Sequence, residues 1–176
     1  LKPLKKISSQ CSELNTATGG AIARLQDSEQ FSASSGEIVN LMVPQGVGAK
    51  QILLIGIGNK KTLDTESVRD VLNSLAEKLK SLEINEATFD LNALVAKSDI
   101  TTVARHLSEA LGDSEYAYIM SPKSARGAKA GKEFRATLWC TDTKSSKAAK
   151  LAAATGVAIH NGKTLAKNLG NMPGNV

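Results

Sequence analysis

Apolar residues recur at helical spacing in two stretches that begin at recognisable capping residues. In residues 65–82, apolar side chains recur three or four positions apart, and Asp64 stands before them as an N-cap. In residues 100–111 the same spacing follows Asp99, and Gly112 is expected to end the helix. These patterns predict two amphipathic helices, each with one face in the core.

The remaining pattern consists of short strands and a weaker first helix. The predicted strands are residues 37–43, 52–58, 87–91, 116–120 and 134–139. Residues 52–58 are apolar throughout, which is typical of a strand covered on both faces in the middle of an α/β sheet, whereas residues 134–139 alternate as in a half-buried or edge strand. A weaker helical stripe occupies residues 4–26, which Gly19 and Gly20 are expected to break or bend. The alternation of strands and helices predicts an α/β fold.

The last helix, predicted over residues 145–169, is rich in alanine and contains no acidic side chain. We expect its face of Leu151, Ala158 and Leu165 to pack against the α/β body or against a domain that follows. The chain starts at a leucine and stops just after a turn, so we expect both ends to be cut and this helix to be a connector. The predicted units are residues 1–144 and residues 145–176.

The composition is that of a globular protein, with 41% hydrophobic and 22% charged residues. No apolar run approaches the roughly 18 residues that span a bilayer, and the basic N-terminus lacks the apolar stretch of a secretory signal. Cys11 and Cys140 form no C-x-x-C motif and are expected to be reduced. These features predict a cytoplasmic protein with no membrane partner.

Positive charge is concentrated in the last third of the chain. Residues 1–122 hold 12 Lys/Arg against 15 Asp/Glu, and residues 123–167 hold 10 against 2. The densest part, the basic segment, consists of Lys123, Arg126, Lys129, Lys132 and Arg135. Cations at this spacing can follow a phosphate backbone without reading bases, so contact with DNA is one prediction. The alternative is a solvated basic surface.

No group of residues in the sequence forms a recognisable catalytic or metal site. Gly56 and Gly58 follow a strand, as in a phosphate-binding turn, but Lys61 stands where a dinucleotide fingerprint requires a third glycine. Nucleotide binding and a plain turn both remain possible there. His106 and His160 are the only histidines, and we expect partly exposed structural roles for both. We therefore assign no catalytic residue and no metal ligand.

Three stretches resemble a known family. Residues 52–58 followed by a capped helix, residues 156–159, and the L-x-N-x-P-x-N turn within residues 166–175 are similar to the N-terminal domain and interdomain helix of leucyl aminopeptidases of the bacterial type. These are the cytosol aminopeptidases, peptidase family M17. The turn is the most specific of the three, and the order of elements agrees over nearly the whole chain. Gly174 stands where bacterial members often have proline.

The resemblance implies properties that the residue pattern does not show. It implies a macro-domain-like mixed sheet flanked by helices and a homo-hexamer. It also implies a C-terminal catalytic domain in which two divalent metal ions (Mn or Zn) support the removal of N-terminal residues from peptides. The family signature N-T-D-A-E-G-R is absent from this chain, so no metal ligand or catalytic residue is transferred to it.

The leading hypothesis from the sequence is therefore a non-catalytic assembly or regulatory domain of such an enzyme. Some bacterial relatives bind DNA, which makes a DNA-contacting module of the same protein one alternative. A freestanding nucleotide- or ADP-ribose-binding domain of the macro type is the other.

Overall fold

The computed structural model describes residues 9–58, 64–94, 99–117 and 134–172. The helices in these ranges are α1 (Ser9–Ala17), α2 (Ala21–Asp27), α3 (Thr65–Ser81), α4 (Leu91–Leu94), α5 (Ile100–Glu115) and α6 (Thr143–Asn171). The strands are β1 (Ile38–Met42), β2 (Gln51–Ile55), β3 (Glu86–Asp90) and β4 (Arg135–Trp139). Helices and small sheets thus form a mixed α/β structure, which confirms the predicted class. None of the described helices combines the length and apolar content needed to cross a bilayer.

Three aspartates begin the long helices in the same way. The carboxylates of Asp64, Asp99 and Asp142 each accept a hydrogen bond from the backbone N–H three residues along, at 2.8, 2.7 and 2.8 Å. Hydrogen bonds from neighbouring hydroxyls and from these backbone groups lower the pKa of all three carboxyls. The caps predicted for α3 and α5 are confirmed. Asp142 starts α6 at Thr143, two residues before the predicted boundary.

The first helical stripe is divided in two by the glycine pair. Gly19 and Gly20 have φ values of 60° and 82°, in the left-handed region that glycine adopts without steric cost. α1 therefore ends before this pair and α2 begins after it. This confirms the break that the sequence predicts here. Residues 4–8 of the predicted helix lie outside the described residues.

The strands form two separate pairs among the described residues. β1 and β2 are antiparallel, with Ile38 opposite Ile55, and β3 and β4 are parallel, with Glu86 opposite Arg135. Among the described residues β2 pairs only with β1. Its position in the middle of a sheet stays a prediction, because most of the strand predicted over residues 116–120 lies outside the described residues. The apolar run of β2 agrees with its surroundings, because apolar side chains pack against both faces of the strand.

The two faces of β2 contact different apolar clusters. Leu54 packs with Ile22 of α2 and with Phe31, whereas Leu53 and Ile55 pack against the main core. This arrangement explains why no polar residue interrupts the strand. The strand predicted over residues 116–120 is not observed at its first two positions, which follow α5 without strand pairing, and its other positions lie outside the described residues.

The main core lies between α3 and α5. Its largest fully buried side chains are Leu72, Leu91, Val103 and Leu107, each at most 1% exposed. β3 contributes Phe89, and α6 contributes Ala149. This core is built almost entirely from aliphatic side chains, in keeping with a chain in which only 3% of the residues are aromatic.

α6 packs along α5 through its small residues. Ala149 and Gly156 are buried, and a Cβ added to Gly156 would lie 2.2 Å from the carbonyl oxygen of Arg105. Leu151 and Leu165 are 74% and 61% exposed, so of the two predicted alternatives, packing against the α/β body or against a following domain, the described residues leave the second. At Gly156 the two helices approach so closely that no side chain fits between them.

Gly112 was predicted to end α5 but lies inside it. The helix continues to Glu115, and a Cβ at Gly112 would lie 2.5 Å from Cγ of the His160 ring. The residue is therefore a packing contact between α5 and α6. A glycine required by a neighbouring helix cannot be distinguished in the sequence from one that ends a helix.

Candidate functional site

The basic segment is represented in the described residues by one side chain only. Lys123, Arg126, Lys129 and Lys132 lie outside the described residues, and Arg135 is the first residue of β4. Arg135 Nη1 lies 3.9 Å from Glu86 Oε1, and both side chains are at least 70% exposed. Such an exposed ion pair contributes little to stability, so Arg135 remains accessible to a partner.

The glycine turn after β2 uses its backbone amides within the protein. Gly56 N donates to the Glu37 carbonyl at 2.7 Å, and Gly58 N donates to the Ala33 carbonyl at 3.1 Å. A Cβ at Gly56 would lie 2.0 Å from the Ser34 carbonyl oxygen, so the glycine is required for close packing. These two amides are therefore not available to a phosphate, which favours the plain turn over the nucleotide-binding turn.

His106 is a buried residue, contrary to the prediction that it is partly exposed. It is 8% exposed, and its Nε2 lies 3.2 Å from Nη2 of Arg105. Because a guanidinium can only donate, Nε2 is the acceptor and the neutral ring carries its proton on Nδ1. Burial lowers the pKa of His106, as do the charges of Arg105 and Arg69, against an opposing effect of Glu109. The ring is therefore neutral near pH 7.

The protonated nitrogen of His106 has no hydrogen-bond acceptor among the described residues. Its nearest charged neighbour is Glu109 Oε2 at 3.7 Å, which is too far for a hydrogen bond. A buried donor left without an acceptor costs about 1–3 kcal/mol. In the part of the chain that the structure describes, His106 Nδ1–H is therefore a buried side-chain donor that a ligand at this position would satisfy.

Polar side chains of α5 and α6 form an ionic cluster beside His106. His160 Nδ1 lies 2.8 Å from Asp113 Oδ1, and Lys163 Nζ donates to Asp113 Oδ2 at 2.9 Å and to Glu109 Oε1. Burial favours a higher pKa for Asp113, but hydrogen bonds from His160 and Lys163 outweigh it and the pKa falls below its usual value. Hydrogen bonds to Asp113 and Glu109 raise the pKa of Lys163. His160 thus has the structural role predicted for it.

A polar cavity of about 60 Å³ opens between α3, α5 and α6. It is lined by Arg69, Asn73, His106, Glu109, Ala110, Asp113 and Lys163. Sequence reasoning missed this site because its residues belong to three helices whose packing the sequence does not reveal. The available signal was the spacing of residues 106, 109 and 113, which places them on one face of α5.

The metal ions implied by the family resemblance do not fit the described part of the chain. Within residues 9–58, 64–94, 99–117 and 134–172, no three His, Cys, Asp or Glu side chains come together as a metal site. The nearest candidates, Glu109 and Asp113, already bind Lys163 and His160. A divalent cation there would have to displace an ammonium group.

The structural comparison agrees with this architecture. The bottromycin maturation enzyme BotP superposes with a TM-score of 0.62 over 88% of this chain and 30% of its own chain. The sequences are 20% identical, so this likeness shows a shared fold.

The sequence comparisons identify the family. Probable cytosol aminopeptidases from Burkholderia ambifaria and Paraburkholderia xenovorans are 29% and 30% identical to this chain over 93% of its length. The chain spans about a third (32%) of the length of these curated relatives. The model of the cytosol aminopeptidase family, N-terminal domain, matches residues 2–119. This chain therefore belongs to the cytosol aminopeptidase family and corresponds to its N-terminal domain.

Proposed function

We propose that this chain is the non-catalytic assembly or regulatory domain of a metal-dependent aminopeptidase, which releases N-terminal amino acids from peptides. The observation that carries the proposal is the family match over residues 2–119, made by a chain that spans only 32% of its relatives. Two-metal hydrolysis requires a cluster of metal ligands, and the described residues contain none. In this proposal the divalent metals, Mn or Zn, are bound by a C-terminal catalytic domain.

Several finer features belong to the same proposal. The complete domain has a macro-like sheet, the parent enzyme is a cytoplasmic homo-hexamer, and residues 145–176 connect the two domains. The exposure of large apolar side chains on α6 and just after it supports the connector role. They are Leu151, Val157, Leu165 and Leu169 of α6 and Met172 directly after it, each at least 48% exposed. A following domain would cover them.

The isolated 176-residue chain is expected to hydrolyse no aminopeptidase substrate. The test is incubation with leucine p-nitroanilide and Mn²⁺ or Zn²⁺, beside a longer protein in which a catalytic domain follows this chain. The longer protein should release p-nitroaniline, and this chain should match the buffer blank, because it supplies no ligand cluster to activate water. Turnover that co-elutes with the isolated chain would contradict the proposal.

Contact with DNA by the basic segment is a second proposed role. It is supported by the exposure of Arg135 and by exposed lysines at the start of α6, which are Lys144, Lys147 and Lys150. Cations that meet phosphates act through counterion release, so binding should be insensitive to sequence and steeply dependent on salt.

For DNA binding by the longer protein, the expected slope of log K against log salt is roughly −4 to −5 if all five cations of the basic segment contact phosphates. Changing Lys123, Arg126, Lys129 and Lys132 together to alanine should remove most of that slope. Gel-shift titrations at two salt concentrations measure both quantities. Equal binding by the wild type and the variant would make the segment a solvated surface.

A further inference from the structure

The cavity between α3, α5 and α6 is lined by hydrogen-bond donors and by a carboxylate acceptor. His106 Nδ1–H faces Glu109 Oε2 at 3.7 Å without a hydrogen bond between them. Arg69 and Asn73 of α3 line the same cavity and are exposed, so the cavity opens to solvent on the α3 side. Arg69 forms no ion pair with the other residues that the structure describes, which leaves its guanidinium available.

The two acidic side chains of the cavity differ in whether a carboxylate oxygen is free to accept a hydrogen bond from a ligand. Both oxygens of Asp113 are hydrogen-bonded, one to His160 and the other to Lys163. Glu109 uses Oε1 for Lys163 and directs Oε2 towards His106. Glu109 Oε2 is therefore the carboxylate oxygen that can accept a hydrogen bond from a ligand.

These groups match a ligand that carries both signs of charge close together. A carboxylate can accept hydrogen bonds from the Arg69 guanidinium and from His106 Nδ1–H, since both are donors only. An ammonium group beside that carboxylate can donate to Glu109 Oε2. A simple anion would meet repulsion from Glu109, and a simple cation would meet repulsion from Arg69.

We propose that this cavity binds a small zwitterion in which a carboxylate stands next to an ammonium group, as in a free α-amino acid. The volume of about 60 Å³ is several times the roughly 15 Å³ that one water requires, and it suits a molecule of a few non-hydrogen atoms. So small a ligand is expected to bind in the millimolar range.

A regulatory meaning for this site rests on the proposed function, because free amino acids are the products of an aminopeptidase. Binding itself does not depend on that function and can be measured on the 176-residue chain alone. Failure to bind would leave the aminopeptidase assignment intact, and absence of peptidase activity in the longer protein would leave a binding result intact.

The test follows the histidine ring resonances by NMR while glycine is titrated into the chain at constant ionic strength. The chain has two histidines, and His160 serves as an internal reference because its Nδ1 is already bound to Asp113. We expect a saturable shift of the His106 resonances in the millimolar range. Acetate and methylammonium each carry one of the two charged groups of glycine, and each should bind at least about tenfold more weakly than glycine does.

Arg69→Met should weaken glycine binding by about tenfold or more, because it removes a charge-assisted hydrogen bond from an exposed position. Arg135→Met is the matched control, since it makes the same change in β4, outside the cavity, and should leave binding unchanged. Three results would each overturn the proposal. The first is that the His106 resonances show no saturable shift even at glycine concentrations far above the millimolar range. The second is that acetate binds as tightly as glycine. The third is that Arg69→Met binds glycine as tightly as the wild type.

Discussion

Replacing Gly156 by alanine will lower the free energy of unfolding of this chain by about 2 kcal/mol, as expected for a side chain forced into a filled contact. The added Cβ would lie 2.2 Å from the Arg105 carbonyl oxygen and 3.0 Å from Cβ of Ser108. The first of these atoms is backbone and cannot move aside as a side chain does. α6 must therefore shift away from α5, and contacts along the whole interface are weakened.

The matched control is Gly162→Ala in the same helix. Nothing lies within 4 Å of an added Cβ at Gly162, so alanine there should stabilise the helix by about 0.5–1 kcal/mol through its better helix propensity. Urea denaturation followed by circular dichroism measures both variants. If Gly156→Ala is as stable as Gly162→Ala, the close approach of α5 and α6 described here does not exist in solution.

Replacing Leu165 by aspartate is expected to change stability little in the 176-residue chain and to lower it strongly in the longer protein. In the 176-residue chain the side chain is 61% exposed, so the change should alter the free energy of unfolding by no more than about 0.5 kcal/mol. In the longer protein, a catalytic domain packed on this face would bury the new charge without a partner, at a cost of about 3 kcal/mol or more.

Thermal unfolding of both proteins, each with and without the substitution, measures this difference. Leu165→Ala is the matched control, because it shortens the side chain without adding a charge and should cost less in the longer protein. An unchanged melting temperature of the longer protein carrying Leu165→Asp would mean that this face of α6 stays in solvent. The proposed connector would then be a solvated link that makes no contact through this face.

The sequence was most informative where structure depends on neighbouring residues. Asp64 and Asp99 bond to backbone groups three residues away, so the starts of α3 and α5 follow from local chemistry alone. Gly19 and Gly20 divide the first helix for an equally local reason, since their positive φ values favour glycine.

The sequence-based predictions failed at positions where the residue type is determined by contact with an element distant in the sequence. The face of α6 that meets α5 was not predicted, because close approach to α5 places Ala149 and Gly156 in the contact rather than large apolar residues. His106 is buried because α3, α5 and α6 meet around it, and no local pattern encodes that meeting. The cavity was missed for the same reason, although residues 160 and 163 are three positions apart and therefore lie on one face of α6.

The two different faces of α6 restrict how its length can change. Each residue added to an α-helix turns everything after it by about 100° and moves it by about 1.5 Å. An insertion between Gly156 and His160 would therefore rotate His160 and Lys163 away from Asp113, and would turn the exposed leucines that follow towards α5. Insertions of about seven or eleven residues, which are close to whole turns, would restore the angular position of both faces. They would still move His160 along the helix axis by roughly 10 Å or more, out of reach of Asp113. Among relatives of this chain, the helix is expected to vary in composition far more readily than in length.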